Sequence, residues 1–248
     1  MFSHCGLLII ILVLTLDGQV QTGEIYGGHV AAPHSRPYMV LLEGQIQDGE
    51  TKHCGGFLLN EEFVMTAAHC QARSYTALLG VHNVNDNEEI QRISVVEAFP
   101  HKDFNRSEPK INDIMLLKLT SKANFNKNVK PIALGGQSDG SLPQSCTVSG
   151  WGRADRNIKH MSFVLMEVDI TLIDKEHCAK CMLYCSEGEI GPGEGDSGGP
   201  LVCEDEKAYG VVSFTFKPYS GDPKIHGYTN IPDHRDWIDE IMKHHGKL

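Results

Sequence analysis

The chain has 248 residues, 41% of which are hydrophobic, and its formal net charge at pH 7 is −10. A β domain of two barrels can reach this length as a single unit, so the sequence predicts one domain without accessory modules. The acidic charge excludes proteins that attract nucleic acids or heparin-like polymers through a general positive field. We therefore expect no nucleic-acid partner.

The N-terminal segment is typical of a secretory signal. Residues Leu7–Leu16 are apolar apart from Thr15, and the run is too short to span a bilayer. Polar residues follow it, and cleavage after Thr22 would define residues 1–22 as the signal peptide. No later run is long enough for a transmembrane helix, so we expect no membrane association.

After residue 23 the chain alternates short β-prone runs with turns rich in Gly, Asn, Asp and Pro, which predicts an all-β sandwich or barrel. The runs are Tyr38–Leu42, Gly56–Leu59, Phe63–Ala67, Ile90–Ala98, Ile114–Leu119, Met161–Leu172, Leu201–Val202 and Gly210–Phe216. The one strong helical pattern lies at the C-terminus. There a stripe at helical spacing runs from Trp237 to His245, after Pro232 and Asp233.

The most specific motif is Gly195-Asp196-Ser197-Gly198-Gly199-Pro200. Glycines beside a serine let the backbone turn tightly and bring two N–H groups, those of Gly195 and Ser197, toward one point. Such donors stabilise the oxyanion that forms when a carbonyl is attacked. The alternative is an ordinary serine in a glycine-rich turn.

Two other segments offer the groups that a serine nucleophile needs. In Thr66-Ala67-Ala68-His69-Cys70 the imidazole of His69 is the candidate base. Asp113 enters the apolar run Ile114–Leu117, where a carboxylate is costly to bury unless a partner such as an imidazole N–H accepts its charge. The alternatives are a histidine without a catalytic role and an aspartate that caps a turn.

These motifs, with Ile25-Tyr26-Gly27-Gly28 and Ser149-Gly150-Trp151-Gly152, stand in the order found in chymotrypsin-like serine proteases, which residues 25–248 resemble. The resemblance implies a serine endopeptidase domain of two six-stranded antiparallel β-barrels with a C-terminal α-helix. It implies no cofactor. The residues with implied roles are the triad His69, Asp113 and Ser197 and the oxyanion-hole donors Gly195 and Ser197.

The segment His34–Met39 and the dipeptide Gly23-Glu24 resemble the granzyme, mast-cell chymase and cathepsin G group. This implies secretion or storage in secretory granules, protein or peptide substrates, protein protease inhibitors as partners, and a monomer. It also implies that a dipeptidyl peptidase removes residues 23–24. The freed amine of Ile25 would then pair with Asp196 and order the oxyanion hole, although Tyr26 departs from the usual Val or Ile.

Eight cysteines are present, and the mature chain would keep seven, so one is left over. The resemblance implies the disulfides Cys54–Cys70, Cys146–Cys203 and Cys178–Cys185. Cys181 is then free, although it could replace either Cys178 or Cys185. A metal site on these three cysteines is the alternative, but a secreted chain favours disulfides, and no metal is expected. Calcium is disfavoured because Val81 stands where a carboxylate ligand would be needed.

The expected specificity pocket departs from the family pattern. Counting back from Ser197 places Gly191 at the pocket floor, where trypsin-like enzymes carry Asp, so strong cleavage after Lys or Arg is disfavoured. Thr215 replaces a usual Gly and narrows the pocket mouth. His226 could select an acidic or polar side chain, or it could be a loop histidine that faces water. The implied substrate-binding residues are Gly191, Ser213, Phe214, Thr215 and His226.

Asn105-Arg106-Ser107 is an N-glycosylation sequon in a polar loop, which predicts a glycan on Asn105.

Two other functions are open from the sequence. A protease homologue that is weak or inactive, and acts as a binding or cytotoxic protein, would share the fold, although all three triad residues are present here. A digestive or clotting-type protease is disfavoured, because such enzymes usually carry longer propeptides or extra domains.

Overall fold

A computed structural model of the chain describes residues 25–86, 90–107, 110–136, 143–153, 160–217 and 221–246. The predicted signal peptide 1–22 and activation dipeptide 23–24 lie outside the described residues. The strands are β1 (His29–Val30), β2 (Met39–Gln45), β3 (Thr51–Leu58), β4 (Phe63–Thr66), β5 (Ser74–Leu79), β6 (Gln91–Pro100), β7 (Met115–Leu119), β8 (Ser145–Gly150), β9 (Met166–Thr171), β10 (Leu183–Glu187), β11 (Pro200–Cys203), β12 (Ala208–Phe216) and β13 (Ile225–Asn230). The α-helices are α1 (Glu176–Lys180) and α2 (Arg235–His245).

The N-terminal half of the domain is a closed antiparallel barrel with the strand order β2-β3-β4-β7-β6-β5. Its inner strands carry continuous apolar runs because both of their faces are covered; all four residues of β4 are buried. Phe57, Phe63 and Leu116 have no exposed surface and fill the barrel interior.

The C-terminal half is a seven-stranded antiparallel sheet with the order β1-β9-β8-β11-β12-β13-β10. Six of these strands, β8 to β13, form the body of the sheet, and the two-residue β1 adds to β9. A bridge between Ile173, just after β9, and Cys185 of β10 brings the two ends of the six strands together. The predicted fold class, all-β with a C-terminal helix, is confirmed.

Strands β1, β5, β8, β10 and β13 are not among the predicted runs, because β1 has only two residues and the others mix polar and apolar residues. Their strand character comes from pairing with neighbours rather than from local pattern. The run Met161–Leu172 is a strand only at Met166–Thr171. The predicted helix is present as α2, and its Ile238 is fully buried against the first barrel.

Three disulfides join Cys54 to Cys70, Cys146 to Cys203 and Cys178 to Cys185, which are the pairs that the family resemblance implies. Cys181 is a half-buried free thiol at the end of α1. The alternative of a metal site on these cysteines is wrong, because Cys178 and Cys185 are bonded to each other. In the described part of the chain, no helix has the length and apolar character required to cross a bilayer.

Candidate active site

His69 and Asp113 meet where two segments of the first barrel end. His69 lies in a single 3-10 turn, Ala68–Cys70, just after β4, and Asp113 lies two residues before β7. Because β4 and β7 pair directly, the two residues are neighbours across the barrel rim. The Asp113 Oδ2 atom lies 2.6 Å from Nδ1 of His69, and Oδ1 accepts the His69 backbone N–H at 2.8 Å. These two contacts orient the imidazole ring and its segment together.

The Asp113 carboxylate is fully buried, and hydrogen bonds compensate its charge. Ser213 Oγ of β12 donates to Oδ2 at 2.5 Å. Burial raises the pKa of Asp113, but the hydrogen bonds from His69 and Ser213 outweigh that effect, so the net shift is downward. Asp113 is therefore held as an anion that can stabilise a positive charge on His69.

Two contacts that the sequence analysis did not anticipate support this pair. Thr229 Oγ1 donates to the backbone carbonyl of Asp113 at 3.1 Å, which ties β13 of the second sheet to the first barrel. Lys52 Nζ donates to the carbonyl oxygen of His69 at 2.9 Å. Neither contact has a local sequence signal, because each joins residues that are distant in the chain.

The Ser197 loop is attached to the segment that carries His69. The backbone N–H of Gly55, next to Cys54, donates to the Ser197 carbonyl at 2.8 Å. The Sγ atom of Cys70, which follows His69, lies 3.8 Å from the same oxygen. The Cys54–Cys70 disulfide therefore places the histidine segment and the serine loop at the junction of the two halves.

Glycine is required at Gly198, beside the serine. Its φ is +84°, and a Cβ atom there would lie 2.1 Å from Thr66 Oγ1. Gly195, a predicted oxyanion donor, also has a positive φ, of +103°, and packs on Gly152 and Met161. The turn that was predicted from the glycines is present, and Ser197 within it is half-buried.

Asp196, beside Ser197, is fully buried. Its Oδ1 accepts the N–H of Gly152 and its Oδ2 accepts the N–H of Gly193, each at 2.7 Å. Burial raises the pKa of this carboxyl to about 6 despite those two bonds. Ile25 is fully buried in the second half of the domain, and Tyr26 forms a bridge with Gly191, whose N–H donates to the Tyr26 carbonyl at 3.1 Å. The segment at which the predicted mature chain begins is thus packed against the pocket wall.

A pocket of about 280 Å³ opens beside Ser197. Its lining residues are Tyr26, Pro192, Gly193, Glu194, Ser197, Val212, Phe214, Thr215, Lys224 and His226. Of the predicted substrate-binding residues, Phe214, Thr215 and His226 line it. Gly191 lies behind His226, since a Cβ atom there would be 2.8 Å from the ring, and Ser213 contacts Asp113 instead.

His226 is 1% exposed and lies within β13, so the alternative of a loop histidine that faces water is wrong. Its Nδ1 lies 2.9 Å from Thr215 Oγ1, and its Nε2 lies 3.2 Å from the Gly188 carbonyl oxygen. A carbonyl can only accept, so Nε2 carries the proton of the neutral ring and the Thr215 hydroxyl donates to Nδ1. Burial lowers the pKa of His226, with Lys224 acting in the same direction against the Gly188 bond.

Lys224 is a pocket residue that the sequence analysis missed. Its Nζ lies 3.1 Å from Glu189 Oε2 and 5.2 Å from the centre of the Tyr26 ring. Its side chain is only 15% exposed. The pocket lining therefore includes an ammonium group paired with Glu189, the carboxylate of Glu194, a buried imidazole and a hydroxyl. No local sequence pattern marked Lys224 as part of this lining.

The sequon lies apart from this site. Asn105 is exposed, and its Oδ1 accepts the N–H and the hydroxyl of Ser107 at 2.9 and 2.8 Å.

Comparisons with known proteins agree with this architecture. The trypsin family model matches residues 25–238. Mouse granzyme E is 39% identical over 249 residues, which cover 95% of this chain and 98% of the relative. Mouse granzyme B(G,H) is 40% identical over 96% of this chain and 98% of its own length, and sheep mast cell protease 3 is 40% identical over 95% and 96%. A solved structure described as "Structure of GrC" is 35% identical, with a TM-score of 0.77 over 88% of this chain and 100% of its own. The chain therefore belongs to the trypsin family and is a chymotrypsin-like serine endopeptidase, similar to granzymes and mast-cell proteases.

Proposed function

We propose that this protein hydrolyses peptide bonds through a triad formed by His69, Asp113 and Ser197. The observation that carries the proposal is the double contact of the buried Asp113 carboxylate with Nδ1 and the backbone N–H of His69. That arrangement puts the proton of the neutral ring on Nδ1 and leaves Nε2 free to accept the serine proton.

In the proposed reaction, Ser197 Oγ attacks the carbonyl carbon of the scissile bond while His69 Nε2 takes the hydroxyl proton. The N–H groups of Gly195 and Ser197 stabilise the oxyanion. His69 then returns the proton to the leaving amine, the C–N bond breaks, and an acyl-enzyme remains. Water, deprotonated by His69, attacks this ester and releases the acid and the serine. The reaction needs no cofactor or metal.

A serine-directed fluorophosphonate probe and a peptide library, applied to protein that begins at Ile25, test this proposal. Ser197→Ala is the matched control, since it removes one oxygen and keeps the fold. We expect labelling and cleavage by the parent protein and neither by the variant. Absence of Ser197-dependent cleavage in a folded, correctly processed protein would refute the proposed function.

We further propose that removal of Gly23-Glu24 by a dipeptidyl peptidase activates the protein. Among the described residues, the partners of the buried Asp196 carboxylate are two backbone N–H groups, so an ammonium group would add compensation for its charge. Ile25 is buried in the same half of the domain, which favours insertion of its freed amine. The pairing would hold the Gly193–Ser197 turn that contains the oxyanion donors.

For specificity, we propose that the pocket takes small polar or acidic side chains before the cleaved bond. The Thr215–His226 hydrogen bond joins two pocket-lining side chains and narrows the space, which disfavours large aromatic residues. Lys224, paired with Glu189, places an ammonium group at the pocket, and Gly191 offers no carboxylate to a cation, so both disfavour Lys and Arg side chains. Thr215→Gly should increase cleavage after Phe and Tyr relative to Ser in the same library; an unchanged ratio would exclude this narrowing.

The relatives are named as granzymes and a mast cell protease, which supports release from secretory granules or direct secretion. We propose protein or peptide substrates, protein protease inhibitors as partners, a monomeric state and a glycan on the exposed Asn105. The sedimentation mass of secreted protein before and after glycosidase treatment tests the last two points together.

A further inference from the structure

Asn112, the residue before Asp113, adopts an unusual backbone conformation. Its φ is +54°, in the left-handed region that few residues other than glycine adopt, although asparagine is among those that do. The side chain is 9% exposed and has two partners. Its Nδ2 donates to the Asp103 carbonyl at 3.1 Å, and its Oδ1 lies 3.0 Å from Nε2 of His234. The left-handed residue beside the Asp113 carboxylate is therefore held by contacts outside the proposed triad.

His234, one of the two partners of the Asn112 side chain, is itself held by its neighbours. It ends a 3-10 turn, Pro232–His234, between β13 and α2, and it is 4% exposed. Its Nδ1 lies 2.6 Å from the Asn230 carbonyl oxygen. The His101 ring packs edge-on against it, with centroids 5.4 Å apart. The ring is therefore fixed on two sides before it meets Asn112.

The hydrogen-bond roles follow from the partners. Because Asn230 offers a carbonyl, Nδ1 of His234 must donate. With a charged ring, Nε2 donates to Asn112 Oδ1. With a neutral ring, Nε2 accepts, and the Asn112 amide meets it by turning its NH₂ group toward the ring. The bond between His234 and Asn112 persists in both forms, whereas the bond from Asn112 to Asp103 requires the charged ring.

We propose that His234 is a positioning residue of the active site, which acts through the Asn112 side chain to hold the left-handed backbone that directs the Asp113 carboxylate at His69. The link from His234 to Asp113 consists of the hydrogen bond to the Asn112 side chain and the peptide bond that joins Asn112 to Asp113. This inference rests on the proposed triad.

The test compares His234→Phe with His234→Gln in protein that begins at Ile25. Phenylalanine keeps an aromatic ring against His101 and removes both hydrogen bonds, whereas glutamine keeps polar atoms that can reach Asn112. Active sites are first counted with the fluorophosphonate probe, so that misfolded protein does not enter kcat. We expect His234→Phe to lower kcat by about ten- to a hundredfold with KM within twofold, and His234→Gln to recover most of it.

The pH profile separates positioning from general stability. A less well directed Asp113 stabilises the charged His69 ring less, so the acid limb of kcat/KM should move to lower pH in His234→Phe. Asn112→Gly tests the same link from the other side, because glycine keeps the positive φ without strain but lacks the amide. It should produce the same change, and the two substitutions together should cost little more than either alone.

His244→Ala, at an exposed position of α2, is the control and should behave like the parent. An unshifted acid limb with kcat per active site within twofold of the parent would overturn the proposal, as would additive effects of His234→Phe and Asn112→Gly. If His234→Phe does not fold, Asn112→Gly alone decides by the same two readouts. Failure of the parent protein to show Ser197-dependent hydrolysis would instead refute the proposed function and leave no rate to compare.

Discussion

Cleavage of the activation dipeptide should change how stability depends on pH, and Asp196 sets the size of that change. In the uncleaved chain the pKa of this fully buried carboxyl is raised to about 6 by burial, against an ordinary value of 3.8. Between these two values the native state holds a proton that the unfolded state has released. The free energy of unfolding therefore falls as pH rises through this interval, and it levels off above about pH 6.

The magnitude follows from the gap between the two pKa values. One pKa unit corresponds to about 1.4 kcal/mol, so a gap of roughly two units amounts to about 3 kcal/mol. In the cleaved chain the Ile25 ammonium would stabilise the ionised Asp196. The free energy of unfolding would then no longer fall as pH rises through this interval. Apart from Glu24 and the terminal amine, the titrating groups are common to the two forms, so their contributions cancel in the difference.

The assay is urea unfolding, followed by tryptophan fluorescence, of Ser197→Ala protein that begins at Gly23 or at Ile25, at several pH values from 4 to 8. Across this pH range, the free energy of unfolding should fall by about 3 kcal/mol more in the form that begins at Gly23 than in the form that begins at Ile25. Asp196→Asn, introduced into the longer form, should abolish the excess. Parallel pH curves for the two forms would refute the proposed pairing of Ile25 with Asp196.

Three further outcomes are expected. Ser213→Ala removes the 2.5 Å hydrogen bond to Asp113, and it should lower kcat by about tenfold with KM little changed; a rise in KM alone would show that Ser213 serves substrate binding instead. Replacing Cys54 and Cys70 together by serine opens a bridge between residues 16 apart, and should lower the free energy of unfolding by about 3 kcal/mol in urea titrations; a loss well below 1 kcal/mol would contradict this. Ile238→Ala leaves a cavity where a fully buried side chain joins α2 to the first barrel, and it should cost about 3 kcal/mol without changing kcat per active site; reduced kcat would point to a role for the helix in the site.

Much of the fold was accessible from short-range patterns. Apolar runs such as Phe63–Ala67 and Ile114–Leu119 predicted strands because a strand covered on both faces must be apolar throughout. The C-terminal helix followed from its spacing. Strands such as Ser145–Gly150 and Ile225–Asn230 were not predicted, because their polar residues find hydrogen-bond partners only in the assembled sheet.

The same distinction between local patterns and tertiary contacts applies to the candidate site. The sequence by itself determined which segments carry reactive groups, because a nucleophile turn needs its glycines at fixed offsets from Ser197 and an aspartate before an apolar strand needs a partner. It did not reveal that His226 is buried and bonded to Thr215, that Lys224 enters the pocket, or that His234 supports Asn112. The Thr215–His226 hydrogen bond joins neighbouring strands of the second sheet, so it depends on the pairing of β12 with β13. The His234–Asn112 hydrogen bond joins residues 122 positions apart and depends on the packing of the two halves against each other. Only the tertiary structure decides such contacts, since a hydrogen bond over such a separation exists only once the chain between its partners has folded.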